Sequence, residues 1–195
     1  MSETEVTVEV FEDLDSIRRA LLSKGFAMTG KYLIRDRYYT GLGDVSGLTY
    51  GELIGNSFLI RCIDGPAPVK LLMFKKKEID ASGVVVSEEK VKTVLEDPET
   101  AAKIFGLAGL NQYCEIRNMS YIYENANVAL AVQDVEGLGI FIELEEDSIM
   151  KGLESREKLS RLTAVLKGLG LKLGSDFSCK KVLMLLKKNN AGLKD

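Results

Sequence analysis

Two pairs of glutamates lie two residues apart in segments that have the pattern of β-strands. The pairs are Glu3 with Glu5 and Glu143 with Glu145. Successive side chains of a strand alternate between its faces, so both members of each pair project to the same side. Clustered carboxylates repel each other, and a divalent cation that prefers oxygen ligands relieves that repulsion. The spacing therefore makes these glutamates candidate ligands for such a cation.

Cations on other strand-like segments could bind phosphate. Arg61, Lys75 and Arg117 lie in alternating runs of this kind. Arginine binds phosphate oxygens as a bidentate fork, and lysine binds them as a point charge. The chain contains no glycine-rich Walker loop, so a phosphate would be held by side chains. Carboxylates with a metal on one side and cations on the other would bind a polyphosphate. The alternative is an open sheet on which these charges are simply solvated.

The composition excludes several kinds of chemistry. The 195 residues include no histidine, which removes histidine bases, Ser-His-Asp hydrolysis and histidine metal ligands. The three cysteines are isolated, which fits a reducing cytosol and not a disulfide scaffold or thiolate zinc site. The net charge of -3 provides no overall basic field for nucleic acid. No apolar run approaches the length of a membrane span, and residues 1–20 do not resemble a signal peptide. We therefore expect a cytoplasmic protein without nucleic-acid or membrane partners.

The elements that would position these residues can be read from periodicity. Residues 3–10 alternate polar residues with valines, as a half-buried strand does. A helix follows, with Asp13 or Asp15 as its cap, an apolar stripe and Gly25 at its end. Strand-like runs at 31–39, 57–63 and 69–75 come next, the last two joined by a turn at 64–68. The stripe of the helix is predicted to consist of Leu14, Ile17, Leu21 and Leu22.

The pattern of strand, helix and strand then starts again. Val10-Phe11-Glu12-Asp13 and the helix ending at Gly25 have counterparts 84 residues later, at 94–97 and Gly109. Strand-like runs at 113–123, 128–132 and 139–145 follow, and then a third amphipathic helix over about 154–169. Its apolar face is predicted to comprise Leu159, Leu162, Val165, Leu166 and Leu169. The pattern of residues 179–188 does not decide between helix and strand.

These elements predict one α+β domain over 1–195, with pseudo-repeated halves at about 3–84 and 87–188. Hairpins and alternating strands favour an antiparallel sheet that closes, or nearly closes, on itself. The charged strand faces could then point inward. An interior with both cations and carboxylates could not be dry, because unpaired buried charges are too costly. It would be a polar tunnel that binds a charged ligand.

Residues 134–145, with the sequence Asp-Val-Glu-Gly-Leu-Gly-Ile-Phe-Ile-Glu-Leu-Glu, are the most specific motif in the chain. Weaker motifs accompany it in order: Glu3-x-Glu5, Arg35-Asp36-Arg37-Tyr38-Tyr39, Leu59-Ile60-Arg61 followed by Lys75, Glu96-Asp97-Pro98, and Lys180. Together they resemble the CYTH family, which groups class IV adenylate cyclases with thiamine triphosphatases and is related to the triphosphate tunnel metalloenzymes. The resemblance extends from Glu3 to about Lys187.

The resemblance implies an eight-stranded antiparallel β-barrel, flanked by helices, whose tunnel binds a triphosphate with Mg²⁺ or Mn²⁺. It implies hydrolysis of a nucleoside, thiamine or inorganic triphosphate, or cyclisation of the adenylate cyclase type. The expected partner is a small-molecule triphosphate, and the chain could also form a homodimer. Carried over by position, Glu5 and Glu143 are the catalytic candidates. The metal candidates are Glu3, Glu5, Glu143 and Glu145, and the triphosphate candidates are Arg61, Lys75, Arg117 and Lys180.

Several positions depart from the family pattern. Thr7 stands where the family has the lysine of E-x-E-x-K, and Gln133 stands where it usually has an aspartate. Lys90 and Lys92 occupy a strand that often carries glutamates in the family. These departures support a rival interpretation, a triphosphate-binding or nucleotide-binding member that has lost catalysis. A barrel that binds partners but no ligand is the third interpretation.

Overall fold

The computed structural model describes residues 4–43, 45–79, 85–145, 150 and 152–189. Eight strands form one sheet with the order β1-β8-β7-β6-β2-β3-β4-β5. Their bounds are β1 Glu5–Val10, β2 Ala27–Thr40, β3 Asn56–Asp64, β4 Val69–Ile79, β5 Val85–Val94, β6 Asn111–Glu124, β7 Ala129–Val135 and β8 Gly139–Glu145. The following neighbouring strands are paired antiparallel: β1 with β8, β8 with β7, β7 with β6, β2 with β3, β3 with β4, and β4 with β5. The predicted α+β class and the eight-stranded antiparallel sheet with flanking helices are confirmed.

Five helices lie in the described part of the chain: α1 Leu14–Ser23, α2 Tyr50–Gly55, α3 Pro98–Leu107, α4 Ser155–Lys167 and α5 Lys181–Lys188. Of the two candidate caps of α1, Asp13 is the one used, and Gly25 follows the helix with φ +79°. The short helix α2, which the periodicity does not predict, begins with a capping box between Thr49 and Glu52. Within residues 179–188, for which the sequence pattern did not decide between helix and strand, the structure forms helix α5.

The spacing of 84 residues recurs in the element bounds. Helices α1 and α3 are related by it at both ends, and so are strands β2 and β6. The proposed halves, 3–84 and 87–188 within a domain of 1–195, stay a prediction. By packing, the chain divides into two compact units along other boundaries. Unit 1 contains Leu33–Arg117 and Lys181–Asp195 with Met1–Ser2, and unit 2 contains Glu3–Tyr32 and Asn118–Lys180.

In unit 2, helices α1 and α4 pack on one face of strands β1, β8 and β7. The valines of β1 form this core together with apolar residues of the neighbouring strands and both helices. The members of that core on the helices are Ile17, Leu21, Leu162 and Leu166. The predicted stripes are wrong at Leu22 and Leu159, which are 51% and 42% exposed. The buried stripe is narrower than the sequence pattern because only one line of side chains on each helix faces the sheet.

In unit 1, helix α3 covers one face of strands β2, β3 and β4. Phe105 of this helix makes edge contacts with the rings of Tyr39 and Phe58, and Ile60 and Ala101 are buried in the same cluster. The opposite face of these strands carries Asp36, Arg61 and Lys75, because side chains alternate between the faces.

Residues 172–179, here called the strap, run beside β1, which is the first strand in the sheet order. An end strand presents unpaired backbone groups on its outer side. The strap pairs with these groups through four hydrogen bonds: Phe11 N to Lys172 O, Gly174 N to Glu9 O, Thr7 N to Phe177 O and Cys179 N to Thr7 O, at 2.8–3.1 Å. It thereby fixes the backbone position of the residue that follows it, Lys180.

No helix in the described part of the chain combines the length and the apolar character needed to span a membrane.

Candidate functional site

Three carboxylates from two neighbouring strands meet in unit 2. Glu5 of β1 lies directly opposite Glu145 of β8, and Glu143 lies opposite Thr7. A carboxylate oxygen from each of the three glutamates lies within 4.8 Å of the others. We call these three residues the carboxylate cluster. The structure thus brings together three of the four glutamates predicted from sequence, while Glu3 lies outside the described residues.

The cluster lies on the face of the sheet opposite the valine core. Residues that are paired directly across two antiparallel strands project to the same side. Glu5, Thr7 and Glu9 therefore share this face with Glu145, Glu143 and Phe141, their partners in the register. Thr7 and Gln133, which depart from the family pattern, are buried at 3% and 6% exposure. Gln133 is paired with Phe141. The carboxylates of this face therefore lie on the same side of the sheet as buried, neutral side chains.

Lys180 brings a positive charge to the cluster. Its Nζ lies 3.8 Å from Glu5 Oε1, with the side chains 25% and 40% exposed. The preceding residue, Cys179, is hydrogen-bonded through its N–H to the carbonyl of Thr7. The strap therefore delivers Lys180 to the strand that carries Glu5. Of the predicted phosphate ligands, Lys180 is the one that belongs to the same unit as the carboxylates.

The donor set of the cluster fits a divalent cation such as Mg²⁺ or Mn²⁺. Such ions prefer carboxylate and water oxygens and need no nitrogen or sulfur ligand. Three carboxylates on one face also repel one another, and a divalent cation lowers that repulsion. Glu5 and Glu145 are exposed and Glu143 is half-buried, so the cluster keeps contact with water.

Arg61 is held by an acidic partner in unit 1. Its Nε and Nη2 donate to the two carboxylate oxygens of Asp36 at 2.7 and 2.6 Å. Asp36 lies directly opposite Arg61 in the register of β2 and β3 and is 4% exposed. Tyr38, two residues along on the same face, has a pKa well above its usual value, chiefly because of burial and then because of Asp36. Its phenol therefore remains protonated and uncharged at neutral pH.

Lysines gather on the Arg61 face of β4 and β5. Lys75 is paired directly with Lys90, and Lys92 is paired with Met73. Ser57 on β3 is paired with Lys75, and by alternation it shares the face of Arg61. An anion bound on this face would lie within reach of both lysine side chains. Lys90 was not predicted as a site residue. Its alternation with Lys92 in the sequence was a usable signal, but its pairing with Lys75 depends on register.

Arg117, the last predicted phosphate ligand, lies on β6 in unit 1. Its Nε donates to Glu115 Oε1 at 2.6 Å, and its side chain is 55% exposed. Arg61 and Arg117 thus both have carboxylate partners that the sequence analysis did not identify. The spacing of two residues between Glu115 and Arg117 on one strand was a sequence feature that could have indicated their ion pair. The partnership of Asp36 with Arg61 spans 25 residues and becomes evident only from the register of β2 and β3.

The fold and the carboxylate cluster define an antiparallel β-sheet protein with an acidic site suited to a hard cation. The family model described as "CYTH domain" matches residues 65–175. This match covers more than half of the chain, which therefore belongs to the CYTH family.

Individual relatives agree with this assignment. The protein from Methanocaldococcus jannaschii named "Putative adenylate cyclase MJ0240" is 28% identical over 171 residues, covering 88% of this chain and 91% of the relative. The structure of the PH1819 protein from Pyrococcus horikoshii superposes with a TM-score of 0.71 at 20% identity, covering 95% and 99% of the two chains. A Vibrio parahaemolyticus structure described as "a putative adenylate cyclase" has a TM-score of 0.65 at 17% identity, covering 96% and 98%. At these identities, the two solved structures establish the fold.

Proposed function

We propose that this protein is an enzyme that binds a triphosphate compound together with Mg²⁺ or Mn²⁺ and converts it. The observation that carries the proposal is the carboxylate cluster, three oxygen ligands assembled from β1 and β8 in a member of the CYTH family. Two reactions fit: hydrolysis of the triphosphate, or cyclisation of a nucleoside triphosphate. The relatives named as adenylate cyclases support the second reaction as a candidate.

In this proposal, Glu5, Glu143 and Glu145 hold the cation. Glu5 and Glu143 are proposed as the catalytic residues because they would hold the cation that neutralises charge on the phosphate, and Glu3 remains a predicted fourth ligand. When bound, the cation would neutralise charge on the phosphate oxygens and promote attack by water or by a ribose hydroxyl. The chain has no histidine, so no histidine acts as the base.

Phosphate binding is proposed for Lys180 in unit 2 and for Arg61, Lys75 and Arg117 in unit 1. The register pairing of Lys75 with Lys90 adds support in unit 1, because it places two lysines where one anionic ligand would contact both. The carboxylate partner of Arg61 orients its guanidinium plane through two hydrogen bonds.

A second candidate function is triphosphate binding without catalysis. Thr7 and Gln133 favour it, because these neutral, buried residues lie on the face that carries the carboxylates. Fewer cations on this face would stabilise the developing charge less, while the metal ligands would be retained. A cytoplasmic location and a homodimer also remain proposals.

A thermal-shift panel with Mn²⁺ and tripolyphosphate, ATP or thiamine triphosphate tests the proposal, followed by assays for phosphate and cyclic AMP. We expect stabilisation by triphosphate that depends on the metal. Phosphate release would identify a hydrolase, and cyclic AMP would identify a cyclase. Stabilisation without product would select the binding function instead. No stabilisation by any triphosphate would contradict both functions.

Glu143→Gln, which removes one ligand charge, is the matching variant. We expect its Mn²⁺ affinity to fall about 10-fold or more, since even outer partners of metal ligands contribute that much. Glu136→Gln is the control, because Glu136 is exposed in the turn between β7 and β8 and is not a member of the cluster. Equal Mn²⁺ affinity in both variants would show that the cluster is not the metal site.

A further inference from the structure

We propose that Lys180 is a built-in counter-ion of the carboxylate cluster, which a divalent cation displaces when it binds. This inference rests on the metal site of the proposed function. It assigns Lys180 two successive partners, Glu5 in the metal-free protein and the anionic ligand once the metal is present. Metal binding and anion binding are then coupled through one side chain.

The backbone before Lys180 is held firmly while its ammonium group can move. Ser178 forms a bridge with Thr7, and Cys179 donates to the Thr7 carbonyl at 3.1 Å. The turn of the strap is further closed by Asp176, whose carboxylate accepts hydrogen bonds from the N–H and hydroxyl of Ser178 at 2.7 and 2.8 Å. A lysine side chain attached to such an anchor has four rotatable bonds. Its Nζ can therefore leave Glu5 without any rearrangement of the strap.

The balance of charges favours displacement of Lys180 by a metal. The 3.8 Å ion pair with Glu5 is partly exposed, and pairs of this kind change an equilibrium constant by only about two- to five-fold. A divalent ion brings twice the charge to the same oxygens and interacts with all three carboxylates. Once bound, it repels the ammonium group, which then becomes available to an anion at the metal. Lys180 should thus weaken the binding of the metal alone and strengthen the binding of the metal with tripolyphosphate.

The test titrates Mn²⁺ into the full chain without phosphate, detecting free ion by electron paramagnetic resonance. We expect Lys180→Met to bind Mn²⁺ about 3-fold or more tightly than the parent protein, because the competing charge is gone. Lys180→Arg keeps the charge and should stay close to the parent. The control is Lys172→Met, which removes one charge from the same strap. Lys172 lies beside Phe11, the residue that follows β1. Phe11 is six residues from Glu5, or about 20 Å at the rise of a strand.

The same variants are then titrated with Mn²⁺-tripolyphosphate, and the order should reverse. The parent should bind this complex more tightly than Lys180→Met, by about 3-fold or more, because Lys180 now contacts the anion. A purely structural role would weaken both titrations together and would overturn the proposal. Equal Mn²⁺ affinity in Lys180→Met and the parent would overturn it as well. Circular dichroism verifies the fold, and Lys180→Gln replaces the methionine variant if that variant does not fold.

Failure of the proposed function gives a different result. If neither the parent nor Lys180→Met binds Mn²⁺, the carboxylate cluster is not a metal site, and the inference is overturned along with it. If the parent binds Mn²⁺ and Lys180→Met binds it no more tightly, the metal site stands and only the counter-ion role is overturned.

Discussion

At the scale of single residues, the structure pairs three of the four predicted phosphate-binding cations with carboxylates. Arg61 contacts Asp36, Arg117 contacts Glu115, and Lys180 contacts Glu5. These pairs differ in burial, and therefore in what they contribute to stability. An exposed pair contributes about 0–1 kcal/mol. A buried carboxylate that loses its partner costs much more, because it cannot regain the solvation of water.

The Arg61 pair gives the prediction at this scale. The Asp36 side chain is 6% exposed, so Arg61→Leu should lower the free energy of unfolding by about 2–4 kcal/mol by leaving that carboxylate unpaired. The measurement is urea unfolding followed by circular dichroism. Arg117→Leu is the control, and should change stability by less than about 1 kcal/mol because its pair is exposed. Asp36→Leu combined with Arg61→Leu should be more stable than Arg61→Leu alone. A double variant that is no more stable would contradict the explanation.

At the scale of elements, helices α1 and α3 begin where the sequence provides a capping side chain. Asp13 accepts a hydrogen bond from Ser16 N at 2.8 Å, and Asp97 accepts from Glu99 N and Thr100 N at 2.9 and 3.2 Å. The Ser16 hydrogen bonds lower the pKa of Asp13. The pKa of Asp97 is lowered first by the Thr100 hydroxyl and then by the backbone N–H groups. The charged form of each cap is therefore the one that stabilises its helix.

Both caps should contribute to the acid sensitivity of the protein. A carboxyl group whose pKa is lower in the folded state stabilises that state above its unfolded pKa of about 4, and the contribution is lost as the pH falls below that value. In Asp13→Asn with Asp97→Asn, neutral caps replace the charged ones. The melting temperature of this variant should thus fall less steeply than that of the parent between pH 5 and about pH 2.5. Parallel curves for the two proteins would show that the caps do not contribute.

At the scale of the whole molecule, unfolding releases buried groups that the folded protein keeps protonated. Burial raises the pKa of the Cys114 thiol to about 12, and burial also raises the pKa of Tyr113 to about 12. Tyr113 is in addition hydrogen-bonded to Ser57 at 3.0 Å. In the unfolded chain these groups would lose their protons near pH 8.5 and 10. Alkaline pH thus favours the unfolded state.

We predict that the free energy of unfolding declines between about pH 9 and pH 12. The folded protein holds both protons through this window while the unfolded chain releases them, so deprotonation stabilises only the unfolded state. Urea unfolding at half-unit pH steps measures the decline. Cys114→Ala should reduce its slope, because it removes one of the groups whose pKa is raised in the folded protein. The same slope in this variant would mean that the thiol does not contribute to the decline.

The amino-acid sequence by itself determined the local features of this protein. Alternating valines predict β1, and Asp13 and Gly25 delimit α1. The offset of 84 residues anticipates the bounds of α3 and β6. The family motifs occur in this chain in the family's order, and that order was enough to identify the CYTH family. These features depend on contacts within a few residues or on a linear pattern, so they can be read without knowing which strands are neighbours.

The tertiary structure alone decided which charges meet. Glu5 and Glu145 lie opposite each other because β1 pairs with β8 in one register, and a shift of one residue would turn the glutamates of one strand to the other face. Lys180 reaches Glu5 because the strap occupies the outer edge of β1, and Arg61 meets Asp36 through the register of β2 and β3. Such pairings join residues far apart in the chain. The pairing depends on the free energy of burying the whole sheet, so it cannot be predicted from a local sequence pattern.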